Sequence, residues 1–196
     1  MGPDLTNANL AKADLANALA HSDLLHDRHA IDVAIARMAD AIRGDCAGQR
    51  PLLLTVMHGG MLFASELALA LGQGNALDLD FDYLHATRYR GGTSGTDLQW
   101  KHRPATPLAG RLVLLADDIL DEGYTLDAVR TWCREQGAAE VRIAVLAWKR
   151  HDRCVAGMRA DYVGIEVPDR YVYGFGMDYH EQGRNLPAIY ALRGDA

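Results

Sequence analysis

The run Arg111-Leu-Val-Leu-Leu-Ala-Asp-Asp-Ile-Leu-Asp-Glu-Gly-Tyr-Thr-Leu126 constrains this chain more than any other stretch. Leu112 to Ala116 reads as a buried strand, followed by three acids (Asp117, Asp118, Asp121), then Gly123 and a helix opening at Thr125. Acids beside a glycine turn at the carboxyl end of a parallel strand sit where open α/β sheets bind ligands. The turn feeds a helix N-terminus, whose free N–H groups and dipole favour phosphate. Asp117 and Asp118 are placed to accept hydrogen bonds from a sugar diol, which leaves Asp121 for proton transfer. A phosphate socket beside a diol clamp describes a site for a 5-phosphorylated ribose.

The rest of the chain supplies a sheet for this turn to sit on. A helical segment covers residues 5–20, and a second helix runs from about His29 to Arg43, before Gly44 and Gly48 break the chain. Two Ala-Asn/Asp-Leu units near the start are too few for a solenoid, which takes at least three repeats. From Pro51 the pattern becomes strand, turn and helix: Leu52 to Met57, Gly59-Gly60, then Met61 to Leu71 closed by Gly72. Leu77 to Tyr83 alternates apolar residues with Asp78, Asp80 and Asp82, the period of a half-exposed strand. A calcium loop is excluded there, because its sixth position needs Gly and holds Tyr83.

Thr87 to Pro104 is polar, without periodicity, and long enough to read as a functional lid. Leu126, Val129, Trp132 and Cys133 share one helical face, closed by Gly137. Glu140 to Trp148 is a largely apolar and therefore central strand. Tyr162 to Val167 and Tyr171 to Phe175 are shorter strands. Alternating strands and helices imply an α/β fold with a mainly parallel sheet flanked by helices.

At 196 residues the expectation is one domain, with a helical N-terminal segment over 1–48 and the binding core over 49–196. A net charge of −6 argues against nucleic acid. No apolar stretch approaches the ~20 residues of a membrane span, and no secretory signal is visible. Cys46, Cys133 and Cys154 form no C-x-x-C pair and read as free thiols of a reducing compartment, so a cytoplasmic protein is expected.

The acidic run resembles the phosphoribosyl-diphosphate (PRPP) signature of type I phosphoribosyltransferases. A Walker B strand would need a G-x-x-x-x-G-K-[ST] partner, which the sequence lacks. From about Pro51 to Leu192 the chain resembles the hypoxanthine-guanine branch of that family. The resemblance implies a type I phosphoribosyltransferase-like fold, with a small hood beside the central sheet.

The implied roles fall residue by residue. Asp117, Asp118 and the loop Asp121, Glu122, Gly123, Tyr124 and Thr125 would hold the ribose 5-phosphate, and Asp121 would act as general base. Glu122 stands where Thr or Ser is usual, so its side chain should point outward. His58, Gly59 and Gly60 match the diphosphate loop, with His58 in place of the common Lys or Arg, and Arg184 would clamp the same group. Lys149 would donate to a purine 6-oxo group, Tyr171 would stack on the base and Val172 would offer backbone groups to its edge. Tyr173 and Phe175 read as core. Tyr89 matches the mobile lid, although its neighbour Arg88 replaces the usual Ser. Asp178 would hold Mg²⁺, with Asp117 and Asp118 beside it.

The implied reaction displaces diphosphate from PRPP by hypoxanthine or guanine in purine salvage, and the family implies a homodimer or homotetramer. Two rivals are a PRPP-binding regulator of the same fold and a phosphoribosyltransferase for another base, such as xanthine. A regulator has no need of Lys149, Tyr171 and Asp178 together, and Lys149, a donor only, disfavours adenine.

Overall fold

A computed structural model describes residues 14–88 and 98–194. In chain order the elements are α1 (Leu15–Ala20), β1 (Ser22–His26), α2 (Arg28–Asp45), β2 (Leu52–Val56), α3 (Gly60–Leu71), β3 (Asp80–Arg88) and β4 (Leu98–His102). There follow β5 (Leu112–Leu120), α4 (Tyr124–Glu135), β6 (Glu140–Lys149), β7 (Tyr162–Val167), β8 (Val172–Tyr173) and β9 (Ile189–Leu192).

Strand residues sort by parity. Leu53, Leu114, Ala116, Ala144 and Leu146 join one apolar cluster, while Leu54, Val113, Leu115, Ile143 and Val145 join another. Successive side chains of a strand point to opposite faces, so this sheet is covered on both. Ile31, Ile35 and Met38 of α2, with Phe63 and Leu67 of α3, bury their stripes in the first cluster. Leu126, Val129 and Cys133 of α4 belong to the second. Helix α2 starts cleanly because the Asp27 carboxylate accepts the Ala30 N–H at 2.8 Å, satisfying one of the orphan donors of the first turn.

The main sheet has the order β4-β3-β2-β5-β6-β7. Strands β3, β2, β5, β6 and β7 pair in parallel, and β4 closes one edge antiparallel to β3. A second sheet, β1-β9-β8, is antiparallel and forms the hood. Among the described residues, no helix is long and apolar enough to cross a membrane.

Several boundaries differ from the sequence reading. Strand β5 continues through the acids to Leu120 because its parallel pairing with β6 runs on to Leu120 opposite Trp148. Asp117 and Asp118 are therefore strand residues rather than turn residues. Strand β3 starts later and runs further than Leu77 to Tyr83, since β2 pairs Leu52 with Asp80 and β4 holds its far end. The stretch read as a structureless lid contributes β4, with Ala86 opposite Trp100 and Thr87 opposite Gln99. Tyr89 lies outside the described residues.

Only Val172–Tyr173 of the Tyr171 to Phe175 stretch is strand, because Gly174 (φ 98°) and Phe175 (φ 47°) leave the extended region. The segment 1–48 is not helical throughout: Ser22–His26 is strand β1, held by long-range pairing with β9 that no local pattern announces. Gly44 lies inside α2 rather than ending it.

Candidate active site

From β2 the chain first adds β3 on one side, then returns to add β5 on the other. This reversal opens a crevice beyond the carboxyl ends of β2 and β5, where doubly wound sheets bind ligands. Met57-His58-Gly59 follows β2, across a cis peptide between Met57 and His58, and Asp117, Asp118 and Ile119 lie at the end of β5 with Asp121 just beyond it. Together with Lys149, Tyr171, Val172, Asp178 and Arg184 they line a cavity of about 510 Å³. A smaller cavity of about 300 Å³ adjoins it over Asp121 to Leu126 and shares Asp117, Asp118 and Asp121.

The smaller cavity is the N-terminal approach to α4. Gly123 caps the helix at φ 82°, a conformation that costs glycine little. A Cβ there would also lie 2.7 Å from Met158 Cγ. Gly123, Tyr124 and Thr125 at the start of the helix line this cavity, and the exposed Glu122 lines it as well.

Asp117 and Asp118 form the shared wall. The Asp118 N–H donates to Asp117 Oδ1 at 2.9 Å. Burial pushes the Asp117 carboxyl well up from its usual range, the neighbouring Asp118 charge adds to this, and Arg184 only partly opposes it. Burial likewise raises Asp118. Two acids held this way are poised to be relieved by a cation or by donors from a diol. Gly59 approaches them so closely that a Cβ on it would lie 2.0 Å from Asp118 Oδ2.

Across the crevice, Arg184 donates to the Gly176 carbonyl at 2.7 Å and pairs with Asp178 at 2.5 Å. The other Asp178 oxygen accepts the Glu181 N–H at 2.8 Å. Tyr171 is 44% exposed and offers its ring to the cavity, nearly parallel to His180 at 6.1 Å. Tyr173 and Phe175 are buried, as their reading as core requires.

Asp121 and Lys149, given separate tasks by the sequence reading, meet here. Lys149 Nζ lies 2.5 Å from Asp121 Oδ2, and His151 Nε2 lies 2.6 Å from Asp121 Oδ1. Burial alone would raise the Asp121 carboxyl. The hydrogen bonds and charges of Lys149 and His151 outweigh it and hold the carboxyl below its usual range.

The sequence reading missed several lining residues. His85, Thr87 and Lys101 enter the cavity from β3 and β4. His85 meets His58 edge-to-face with ring centroids 4.5 Å apart. Burial lowers the His85 imidazole, and the nearby His58, Lys101 and Arg184 charges lower it further. The available signal was the alternation of Tyr83, His85 and Thr87 on one strand face, which had been extended only to Tyr83.

The oxygen donors suit a hard cation. Asp117, Asp118 and Asp178 all border the crevice, and Asp178 adds its charge to the field at Asp118. Among the described residues no group of His, Cys, Asp or Glu makes a closed metal cage. Mg²⁺ in such sites keeps waters and binds one or two carboxylates plus substrate phosphates, so it fits this donor set.

A doubly wound sheet with a hood, an acidic strand end and a glycine-capped helix facing one crevice defines the type I phosphoribosyltransferase class. Residues 21–180 match the phosphoribosyl transferase domain family, and the chain belongs to that family. Its likeness runs to the hypoxanthine-guanine branch. It is 33% identical to the hypoxanthine-guanine phosphoribosyltransferase of Streptococcus pneumoniae over 86% of this chain and 90% of that one. Among solved structures it superposes on a Trypanosoma cruzi hypoxanthine phosphoribosyl transferase with TM-score 0.81 and 26% identity, over 87% of this chain and 91% of that one. A Staphylococcus aureus hypoxanthine phosphoribosyltransferase gives TM-score 0.81 and 25% identity, over 93% and 96%.

Proposed function

We propose that this protein transfers the 5-phosphoribosyl group of PRPP to hypoxanthine or guanine, giving IMP or GMP and diphosphate in cytoplasmic purine salvage. One observation carries the reading: the acidic strand end, the α4 N-terminus, Lys149 and the Tyr171–Val172 wall border two adjoining cavities that share Asp117, Asp118 and Asp121. The 5-phosphate sits in the smaller cavity against the N–H groups of Gly123 to Thr125 and the Thr125 hydroxyl. Asp117 and Asp118 accept the ribose hydroxyls. Diphosphate lies toward His58, the backbone of Gly59 and Gly60, and Arg184. The purine lies between Tyr171 and Ile119, with its 6-oxo group toward Lys149 and its edge toward Val172.

The C1–O bond to diphosphate breaks with its electron pair leaving on oxygen, and positive charge builds on the ribose. Carboxylates at the β5 end and the departing diphosphate stabilise that charge. A purine ring nitrogen supplies the pair for the new C1–N bond, and the ring proton passes to Asp121. General-base help of this kind is worth ~10²–10⁴-fold. Asp178, with Asp117 and Asp118, would hold Mg²⁺, which would supply charge neutralisation at the leaving diphosphate. Guanine, hypoxanthine and xanthine share the 6-oxo group that Lys149 reads. A homodimer or homotetramer is the assembly proposed.

A panel of bases with PRPP and Mg²⁺, following diphosphate release, tests the reading. Release is expected with hypoxanthine and guanine and not with adenine or pyrimidines. Release with none of the oxopurines would reject it, and light scattering on the same sample reads the assembly.

A further inference from the structure

His151 belongs to no element and to none of the roles assigned above, yet its side chain is only 3% exposed and lies against Asp121. Its tautomer follows from its two partners. The backbone N–H of Arg153 donates to His151 Nδ1 at 3.1 Å, so Nδ1 is a bare acceptor. Nε2 therefore carries the hydrogen and donates it to Asp121 Oδ1 at 2.6 Å. The loop that presents the ring is itself held, because Arg153 makes two 2.7 Å bonds to the Asp169 carboxylate.

Asp121 thus has one donor on each oxygen: the Lys149 ammonium on Oδ2 and the His151 Nε2–H on Oδ1. The proposed reaction cannot use both residues in that arrangement. Lys149 must turn to the 6-oxo group, and Asp121 must offer a vacant oxygen to the purine proton. When Lys149 leaves, Oδ2 is vacated and Asp121, 41% exposed, loses its stronger tether. His151 is placed to keep hold.

We infer that His151 is the positioning residue for the general base. It holds Asp121 Oδ1 in the crevice while the 6-oxopurine draws Lys149 away from Oδ2. Base binding and base activation are then one exchange: the substrate's carbonyl removes the lysine that occupies the proton-accepting oxygen. A base with no 6-oxo group leaves Lys149 on Asp121, so it is rejected twice, once in binding and once in proton transfer. During turnover the purine proton passes to Oδ2, the N–H electron pair stays on the purine, and the Nε2–H to Oδ1 bond persists. The charged and titratable groups facing Asp121 are Lys149, His151, Arg153 and Cys154.

The inference rests on the phosphoribosyl-transfer reading, and its test separates the two. In the ligand-free protein, ¹⁵N NMR of the histidine rings should find His151 as the Nε2–H tautomer. A titration of the Asp121 ¹³C-carboxyl should show it moving to higher pH in His151→Leu and staying in His151→Gln, whose amide can still donate. In the hypoxanthine assay, His151→Leu should lose roughly ten- to a hundredfold in kcat, as expected for one hydrogen bond to a charged group. KM for PRPP should stay within about twofold, since His151 itself lines neither cavity. The acid limb of its rate profile should move up with the carboxyl, and His151→Gln should restore most of kcat. An Nδ1–H tautomer in the wild-type protein overturns the inference even if the leucine variant fails to fold. So does a His151→Leu enzyme with unchanged kcat and acid limb. A wild-type protein inactive on every oxopurine rejects the functional reading instead, and the tautomer and carboxyl titration still judge the contact.

Discussion

The two walls of the crevice are built in opposite ways. The wall proposed for the 5-phosphate is one continuous stretch, Asp117 to Thr125, in which a strand end, a left-handed glycine and a helix N-terminus follow each other along the chain. The wall proposed for the diphosphate is assembled from four distant places: His58 after β2, His85 and Thr87 on β3, Lys101 on β4 and Arg184 beyond β8. The first wall relies on backbone dipoles and fixed carboxylates. The second carries two imidazoles, one lysine and an arginine already paired with Asp178. Contiguous chemistry is therefore insensitive to how distant strands settle, whereas the assembled wall depends on register and on protonation.

The sharpest way to break this contrast is at Asp121. Asp121→Asn keeps the shape of the phosphate wall and removes the proton acceptor, so kcat should fall by about two orders of magnitude or more while PRPP still binds. Steady-state kinetics beside a PRPP titration checks it, and unchanged turnover with hypoxanthine would remove Asp121 from the mechanism. Lys149→Met should cost less. Hypoxanthine use should drop by roughly ten- to a hundredfold and the preference over adenine should shrink, since a buried cation no longer demands an acceptor. Competition between hypoxanthine and adenine reads this directly, and a retained preference would place base recognition elsewhere.

Gly59 is where the walls touch. Gly59→Ala puts a Cβ on the Asp118 carboxylate, and overpacking of this kind costs about 1–3 kcal/mol. Denaturant melts should show that loss, accompanied by weaker PRPP binding; full stability would mean that Asp118 swings aside freely.

The smallest effect is the one that most directly separates the walls. His85 is held below its usual range by burial and by surrounding positive charge, so it is neutral in the free protein near neutral pH. Bound diphosphate reverses that field and raises the imidazole in the complex. A group with a higher pKa in the complex takes up a proton on binding, so affinity must rise as pH falls. From about pH 8 to about pH 6.5 the Kd for PRPP should fall by roughly three- to tenfold. Calorimetry in buffers of different ionisation enthalpy would detect the proton, and His58→Lys should flatten the dependence. A Kd that is level with pH in the wild-type protein would show that only Arg184 and the backbone meet the diphosphate.

The same contrast explains what the sequence made legible. Asp117, Asp118, Asp121 and Gly123 could be placed because their spacing is the geometry. Parallel strands β2, β5, β6 and β7 were readable because each is a short apolar block between polar turns. Strand β1 was not, because Ser22–His26 has no alternation and is extended only by pairing with β9. Strand β4 hid for a similar reason: Leu98–His102 borrows its conformation from β3. His85, Lys101 and His151 each needed a neighbour from another segment before their chemistry could be recognised. Lys149 and Asp121 were found singly, yet their contact across two strand ends was invisible until the strands were aligned.

The hood carries a consequence for the order in which the molecule can be completed. Val172 pairs with Ala191 of β9, and β9 pairs with β1, so the purine-side wall is tied to both the first and the last described strands. Further bonds reinforce the tie, with Arg170 reaching Asp23 and the Leu192 carbonyl. A chain emerging from the ribosome can gather β2, β3, β5, β6 and β7 and set the acidic strand end in place while β9 is still unmade. The face proposed for the sugar phosphate is then finished before the face proposed for the base. Until β9 threads between β1 and β8, Val172 has no partner strand, so the wall proposed for the purine is completed later along the chain than the wall proposed for the phosphate.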